Sequence, residues 1–142
     1  MPYCTFDDIR TQLPPDVLTA LTDDSLAGTA DWAVLADAIA DADAEIDAWA
    51  GGRYAVPFSP VPDVIRKIAA DIAIYNLFSR RDTDPPDVRK DRYRNAVKLL
   101  ESIAKGTVSI GRAENSAQKD AGDCPRAAAP DPVFSRESLE RF

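Results

Sequence analysis

The sequence predicts an all-α protein: a compact bundle of three principal helices, with short N-terminal helical turns and an extended C-terminal arm. Three long segments place apolar residues three or four positions apart, which is the spacing of one helix face. Breaks that contain proline or glycine separate them, and only one stretch of five residues alternates like a strand. We therefore predict one helical domain over residues 1–111 and an arm over residues 112–142.

Two short helices are expected before the bundle. The Thr-x-x-acid spacing of Thr5 and Asp8 is typical of a capping box, so a helix begins there and ends before Pro14. Pro15 suits the first position of a second short helix over residues 16–21. Residues 22–29 are predicted to form a polar loop.

The first principal helix is predicted over residues 31–50. Asp37, Asp41 and Glu45 fall on its polar face, and the helix contains no Lys or Arg that could offset their repulsion. Its apolar face carries residues spaced by four, three, four and three positions, namely Leu35, Ile39, Ala42, Ile46 and Trp49.

A stiff crossing follows this helix. The pair Gly51 and Gly52 is expected to close the helix in a left-handed conformation. Three prolines then restrict the backbone, Pro57, Pro60 and Pro62, and they are expected to hold the angle to the next helix.

Two further helices complete the predicted bundle. The helix over residues 62–80 is apolar on most sides, so we place it at the centre of the core. The helix over residues 87–105 is expected to bury Tyr93, Ala96, Val97, Leu100, Ile103 and Ala104, and Gly106 should close it. Residues 107–111 alternate and suggest a short strand.

The composition changes at Arg112. Up to Pro132 the chain is rich in Ala, Asp, Pro, Gly and Ser and offers too little apolar surface to offset chain entropy. The last ten residues nevertheless contain Phe134, Leu139 and Phe142. We expect these three side chains to dock on a partner protein.

Several classes of activity are excluded by composition. The chain has no histidine, which removes Ser-His and Cys-His nucleophiles, and it has no glycine-rich phosphate loop. Its two cysteines, Cys4 and Cys124, cannot form a structural zinc site and are expected to be reduced thiols of a cytoplasmic protein. No secretory signal or membrane span is expected, so no membrane contact is predicted. From the residues above, we also predict that the protein is not an enzyme and that it binds no cofactor or metal.

Charge is unevenly distributed along the chain, whose net charge is −7. Residues 1–63 hold twelve acidic side chains against two arginines, whereas residues 64–112 hold eleven basic side chains against six acidic ones. Such asymmetry favours contact between unlike surfaces, within one molecule or between copies.

The acidic face at Asp37, Asp41 and Glu45 has three interpretations. It can be a solvated face, or it can meet a neighbouring copy's basic segment or line a channel. A metal site is disfavoured because one helix cannot wrap an ion. The basic residues concerned are Arg80, Arg81, Arg89, Arg92 and Arg94.

The basic helix and the crossing also leave alternatives open. Residues 87–105 can form an exposed face, an interface between subunits or a phosphate-binding surface. The last is disfavoured because an acidic protein binds DNA weakly. In the crossing, Arg53, Tyr54 and Phe58 can contact the next protein of an assembly, or the loop can simply cover the core.

Five short patterns, in their order and spacing, carry a family resemblance. They are Tyr-Cys-Thr-x-Asp-Asp at 3–8, Leu-Thr-Asp-Asp at 21–24, Ala-x-Ala-Glu-Ile-Asp at 42–47, Gly-Arg-Tyr-Ala-Val-Pro at 52–57 and Arg-Tyr-x-x-Ala at 92–96. Over residues 3–111 the chain resembles a small protein family of Mu-like bacteriophages, encoded among virion head and neck genes. That family is similar in helical pattern to the head–tail adaptors of long-tailed phages.

The resemblance implies a structural role without catalytic residues. Adaptors of this kind form a ring, commonly of twelve copies, that lies beneath the portal and joins head to tail. Their C-terminal arm commonly grips the portal, and their helical body lines the channel through which DNA passes non-specifically. The expected location is the virion neck, after assembly in the host cytoplasm. The alternatives are a stopper or tail-end ring protein of the same neck, and a small regulatory DNA-binding protein that uses helix 87–105.

Overall fold

The computed structural model describes residues 1–81 and 83–114. Within these residues the protein is all-α, as predicted, with five helices and no strand. The helices are α1 (Phe6–Arg10), α2 (Pro15–Thr22), α3 (Trp32–Ala50), α4 (Asp63–Arg80) and α5 (Asp87–Lys105).

Helices α1 and α2 begin where the sequence predicts. The Thr5 side chain accepts a hydrogen bond from the Asp8 backbone N–H, and the Asp8 carboxylate accepts one from the Thr5 N–H at 2.7 Å. These contacts to Thr5 lower the pKa of Asp8. Pro15 occupies the first turn of α2, where its missing N–H costs nothing.

Helix α3 buries the predicted face except at its last position. Leu35, Ile39 and Ile46 are buried, but Trp49 is 38% exposed and Ala50 is 1% exposed. The predicted burial of Trp49 is wrong. Helical periodicity allows the residue three or four positions after Ile46 to face the core, and in this helix it is Ala50, four positions on, that is buried.

Gly51 ends α3 in a right-handed conformation, with φ of −62°, so the predicted left-handed closure is wrong. The chain continues to turn, and the N–H groups of Arg53 and Tyr54 both donate to the Ala50 carbonyl at 2.9 Å. A Cβ on Gly51 would lie 2.7 Å from the Asp47 carbonyl oxygen. Glycine is therefore needed here for space. The crossing beyond it contains cis peptide bonds at Val56–Pro57 and Ser59–Pro60.

Helix α4 lies at the centre of the core, as predicted. It packs against both α3 and α5, and its apolar residues are buried nearly all round. Asp71 is a charged residue among these buried apolar ones, and its carboxylate is only 2% exposed. Lys67 lies 3.1 Å from one of its oxygens and Arg92 of α5 lies 3.8 Å from the other.

Helix α5 is amphipathic, and its burial is narrower than predicted. Ala96, Leu100 and Ile103 are buried, whereas Tyr93, Val97 and Ala104 are half-buried. The Tyr93 ring stacks on Tyr75 of α4, with ring centroids 4.1 Å apart. This stack covers the edge of the core that α5 alone leaves open.

Gly106 closes α5 in the left-handed conformation that the sequence predicts, with φ of 78°. The strand predicted over residues 107–111 is absent. The N–H groups of Thr107 and Val108 instead donate to the Ser102 carbonyl, and no partner strand exists in the described part of the chain. Val108 and Ile110 pack on the core, which explains their alternation. None of the described helices combines the length and apolarity that a membrane crossing requires.

Candidate interaction surfaces

The described residues hold no group of three or more side chains placed to bind a metal ion. The candidate sites that the sequence predicts are surfaces that can meet other molecules. Their chemistry depends on which charged side chains form ion pairs or hydrogen bonds within the chain and which remain exposed.

The predicted acidic face on α3 is divided by the fold. Asp37 and Asp41 are exposed, and neither forms an ion pair within residues 1–81 and 83–114. Glu45 is half-buried and accepts a hydrogen bond from the Tyr93 hydroxyl at 3.3 Å. Only Asp37 and Asp41 therefore form a fully free acidic surface on this face.

The flank of α3 binds the N-terminal segment. The Tyr3 N–H donates to both oxygens of Asp43, at 3.1 and 3.2 Å, and the Tyr3 hydroxyl donates to Asp47. The same hydroxyl accepts a hydrogen bond from the Phe58 N–H at 3.0 Å. One buried tyrosine thus joins the first residues, α3 and the crossing.

Burial dominates the ionisation of this corner. It raises the pKa of Asp43, although the Tyr3 N–H acts in the opposite direction. It also raises the pKa of the Cys4 thiol to about 12, with help from the charge on Asp43. Cys4 is fully buried and therefore stays protonated and unreactive at neutral pH.

Arg80 and Arg81 are used within the chain. Both pair with Asp24 in the loop after α2, and the Arg81 guanidinium lies 2.6 Å from the Asp24 carboxylate. Arg80 also donates to the Leu21 carbonyl at 3.4 Å. These contacts fasten the C-terminal end of α4 to the N-terminal helices.

Arg89 and Arg92 of the basic helix also have internal partners. Arg89 donates to the backbone carbonyl of Gln12 at 2.6 Å, and Arg92 donates to the Gln12 side chain at 3.0 Å. Burial lowers the pKa of Arg89, and the neighbouring charge of Arg92 adds to this effect. Two of the predicted surface arginines therefore hold α5 against the turn between α1 and α2.

The outer face of α5 remains basic. Arg94 is exposed, and its guanidinium lies 3.4 Å from Asp91 on the same helix. Lys98 is exposed and has no ion-pair partner among the described residues. This outer face, centred on Arg94 and Lys98, is an exposed basic surface of the bundle, on which Arg94 has an equally exposed partner in Asp91.

The crossing residues predicted to contact another protein are packed inside the chain. Tyr54 and Phe58 are each 1% exposed, so the crossing covers the core, which is one of the two interpretations that the sequence allows. Their side chains offer no surface to a partner because they already pack against each other and the core. Arg53 is half-buried and pairs with Glu114 at 2.6 Å, which raises its pKa.

The start of the predicted arm contacts the crossing. Arg112 donates to the Ser59 carbonyl, and its guanidinium lies 5.9 Å from the centre of the Phe58 ring. The residues predicted to dock on a partner, Phe134, Leu139 and Phe142, lie outside the described residues.

One surface was missed by sequence reasoning. An apolar groove runs between residues 1–6 and α3, with a volume of about 680 Å³. Phe6 lines this groove and is 40% exposed, and its ring centroid lies 5.4 Å from that of Trp32, which lies outside the groove. The exposed alanines of α3 at positions 36, 40 and 44 were the available signal, because they repeat at helical spacing outside the buried face.

Sequence comparison places this architecture among phage proteins. The profile of the family described as "Bacteriophage Mu, Gp36" matches residues 3–128. "Mu-like prophage FluMu protein gp36" of Haemophilus influenzae is 30% identical over 116 residues, which cover 82% of this chain and 80% of that protein. "Gene product J" of Escherichia phage Mu is 29% identical over 139 residues, covering 96% of each chain.

These matches extend the resemblance found at residues 3–111. The family profile continues to residue 128, and the match to the phage Mu protein reaches into the last residues of the chain. The segment after Arg112 is thus shared with relatives. The resemblance to a Mu-like phage family is confirmed, and this chain belongs to the bacteriophage Mu Gp36 family.

Proposed function

We propose that this chain is a structural subunit of the phage neck, a head–tail connector that forms a ring beneath the portal and joins it to the tail. Membership of the Gp36 family supports a role in a phage particle. The observation that carries the connector proposal is the pair of exposed, oppositely charged surfaces on two helices of one bundle. Catalytic residues play no part in this role.

The two charged surfaces suit a head-to-tail contact between copies. Asp37 and Asp41 are exposed on α3, while Arg94 and Lys98 are exposed on α5. A surface that is complementary to a different surface of the same molecule forms a heterologous interface, and repeated heterologous contacts form a ring when the rotation between copies closes. Complementary charge also orients the approach of successive copies.

The remaining contacts of the connector follow from this arrangement. A ring of about twelve copies, the number common among adaptors that the chain resembles, leaves a central channel for DNA. Carboxylates that face its lumen repel the DNA backbone and keep it from adhering during passage. Portal binding is assigned to the C-terminal residues Phe134, Leu139 and Phe142, and the next neck or tail protein binds the opposite rim.

A regulatory DNA-binding role has less support than the connector. Arg89 is half-buried and donates to the Gln12 carbonyl, so it offers little surface to phosphates, and the exposed Arg92 already donates to the Gln12 side chain. The exposed bases of α5 are interleaved with Asp91 and Glu101. A protein with a net charge of −7 also gains little from counterion release on duplex DNA. A stopper or tail-end ring in the same neck remains the alternative structural role.

A charge exchange tests the ring interface. The double variant Asp37→Lys/Asp41→Lys, and separately Arg94→Glu/Lys98→Glu, should each abolish rings when the protein is mixed with portal. The four substitutions combined should restore them because the contact is reversed in sign. Negative-stain electron microscopy and sedimentation velocity provide the measurement. Asp16→Lys, at an exposed position on α2, is the matched control and should leave assembly unchanged.

The outcomes separate the alternatives. Rings that persist in both double variants overturn the α3–α5 interface, and failure of the wild-type chain to form a ring with portal overturns the connector. Binding of wild-type protein to duplex DNA that weakens steeply with salt, and is lost in Arg94→Glu/Lys98→Glu, supports the regulator instead.

A further inference from the structure

The groove beside α3 is an apolar surface that the described residues leave uncovered. Residues 1–6 form one wall and α3 the other, and together they enclose about 680 Å³. Three exposed alanines of α3 form the floor, where small side chains let another segment approach closely. The residues that matter for its shape are Pro2, Phe6, Ala36, Ala40, Ala44 and Pro57.

One end of the groove carries two carboxylates. Asp43 and Asp47 both line it, and both accept hydrogen bonds from Tyr3. Neither forms an ion pair with Lys or Arg within residues 1–81 and 83–114. Burial and the charge of Asp47 raise the pKa of Asp43, and the Tyr3 N–H and the Met1 ammonium offset this only in part, so a further cation at this end would stabilise the two carboxylates. The groove therefore suits an occupant with apolar side chains and a nearby basic one.

The described chain leaves the bundle beside this end of the groove. Arg112 and Ala113 line a depression together with Pro57, and Pro57 also lines the groove. Arg112 and Glu114 are held there by Ser59 and Arg53. The point of departure is thus fixed next to the carboxylates.

The length of chain beyond this point is more than sufficient to return to the groove. Residues 115–132 are 18 residues, which can span roughly 60 Å when extended. The floor from Ala36 to Asp47 is only about 16 Å long, from the rise of a helix. Reach therefore places no restriction on docking within one molecule.

The last ten residues have the chemistry that the groove suits. They combine Phe134, Leu139 and Phe142 with Arg136 and Arg141, and each arginine lies next to a glutamate, Glu137 or Glu140, so the match to the groove is one of single arginines and not of net charge. We propose that residues 133–142 dock in the groove of their own molecule, with the aromatic side chains on the alanine floor and an arginine at Asp43 and Asp47. The docked segment shields its apolar side chains, and a partner that binds them must first displace it.

Disulfide trapping tests this docking in the full chain. Ala40→Cys places a thiol on the groove floor, and Ser138→Cys places one within the docking segment between Phe134 and Leu139. Cys124→Ser removes a competing thiol, while Cys4 can stay because it is buried and its pKa is about 12. The matched control is Ala48→Cys with the same Ser138→Cys, since Ala48 is exposed on α3 but does not line the groove.

Under mild oxidation at low micromolar concentration, the Ala40 pair should form a disulfide at least fivefold faster than the Ala48 pair. The product should run as a monomer on a non-reducing gel, with the bond located by mass spectrometry. Adding Phe134→Ala and Phe142→Ala should reduce trapping to the control rate, with an unchanged helical circular dichroism spectrum.

Equal rates for the two pairs overturn the proposal, as does trapping that survives loss of both phenylalanines. Disulfide-linked dimers also overturn it, because they show that a second copy occupies the groove. The measurement needs neither portal nor a ring. Its result is therefore separate from the fate of the connector proposal.

Discussion

Helices α3 and α5 both pack against α4 and also contact each other, and they are equal in length at 19 residues. They differ sharply in charge, since α3 carries five acids and no base while α5 carries six bases and three acids. On sequence alone, both are strongly charged surfaces of similar strength. The structure shows that most of this charge is already used inside the molecule.

The internal use of charge differs between the two helices. On α5, arginines reach out to the turn between α1 and α2, and Lys105 pairs with Glu101 on the same helix. On α3, Asp43 and Asp47 instead receive hydrogen bonds from Tyr3. What remains for other molecules is a pair of carboxylates on α3 and a pair of cations on α5. A charge count therefore overstates a surface unless long-range partners are known.

The buried apolar faces of the two helices should contribute equally to the free energy of unfolding. Truncation of a buried leucine on either helix should give the largest change in stability. Leu35 of α3 and Leu100 of α5 are each 0% exposed. Truncation of either to alanine should lower the free energy of unfolding by about 2–5 kcal/mol, because apolar contact is lost and a cavity remains. Urea denaturation monitored by circular dichroism measures the change.

The half-buried neighbours Val34 and Leu99 provide controls. Val34→Ala and Leu99→Ala should each cost clearly less than the corresponding buried substitution. If Leu35→Ala is nearly neutral while Leu100→Ala is not, the two helices do not share one core.

The hydrogen bonds of Tyr3 to α3 and of Tyr93 from α5 should give changes in stability of intermediate size. The Tyr3 hydroxyl accepts from the Phe58 N–H and donates to Asp47, whereas the Tyr93 hydroxyl only donates to Glu45 at 3.3 Å. Tyr3→Phe should cost about 1–3 kcal/mol because it leaves a buried N–H without a partner. Tyr93→Phe should cost roughly 0.5–1 kcal/mol, since its hydroxyl is only partly buried. Thermal unfolding of both variants measures the difference, and equal losses would contradict the buried role of Tyr3.

Local patterns predict most of the fold. The caps at Thr5 and Gly106 depend on residues within a few positions, and the burial of α4 follows from its composition. These features are fixed by short-range sequence, so periodicity and capping rules find them.

The candidate surfaces depend on partners that are distant in sequence. Gln12 and Arg89 are 77 positions apart, and nothing in either segment predicts their contact. The same limit applies to Tyr54 and Phe58, whose aromatic side chains suit an interface and a core equally well. Gly51 shows a third limit, because a glycine can be required by close approach of the backbone as well as by φ.

The ends of the two helices give a smaller effect. Gly51 closes α3 with negative φ, whereas Gly106 closes α5 with φ of 78°, and a Cβ there would overlap the Arg53 guanidinium, which must then move from its pair with Glu114. Gly106→Ala should therefore destabilise by more than the roughly 1–2 kcal/mol that left-handed backbone alone costs. Gly111→Ala, with φ of 72° and open space around it, should show only the backbone cost.

Removal of Arg53 separates the two contributions at Gly106. In an Arg53→Ala background, the cost of Gly106→Ala should fall to that of Gly111→Ala. Chemical denaturation of the four variants measures this, and a cost that does not change with Arg53 shows that the side chain moves aside freely.

The smallest effect concerns the sign of pH dependence. Burial raises the pKa of Asp43 on α3 above its ordinary value of 3.8, whereas the hydrogen bond from Lys105 lowers the pKa of Glu101 on α5 below 4.5. Asp43 therefore lowers the stability of the folded state as pH rises from 3.8 to its raised folded pKa, and this cost is constant at higher pH. The Glu101 pair is a gain that is present above pH 4.5 and is lost as pH falls.

Substitution of each carboxyl should reveal these opposite signs. Relative to wild type, Asp43→Asn should gain stability as pH rises from about 3 to 7, while Glu101→Gln should lose it over the same range. The amide oxygen that Asp43→Asn introduces can still accept from the Tyr3 N–H, so the comparison isolates charge. Unfolding midpoints measured at several pH values give the two slopes. If both slopes have the same sign, an internal cation already compensates Asp43, and the carboxylate end of the groove has no charge left to attract an arginine.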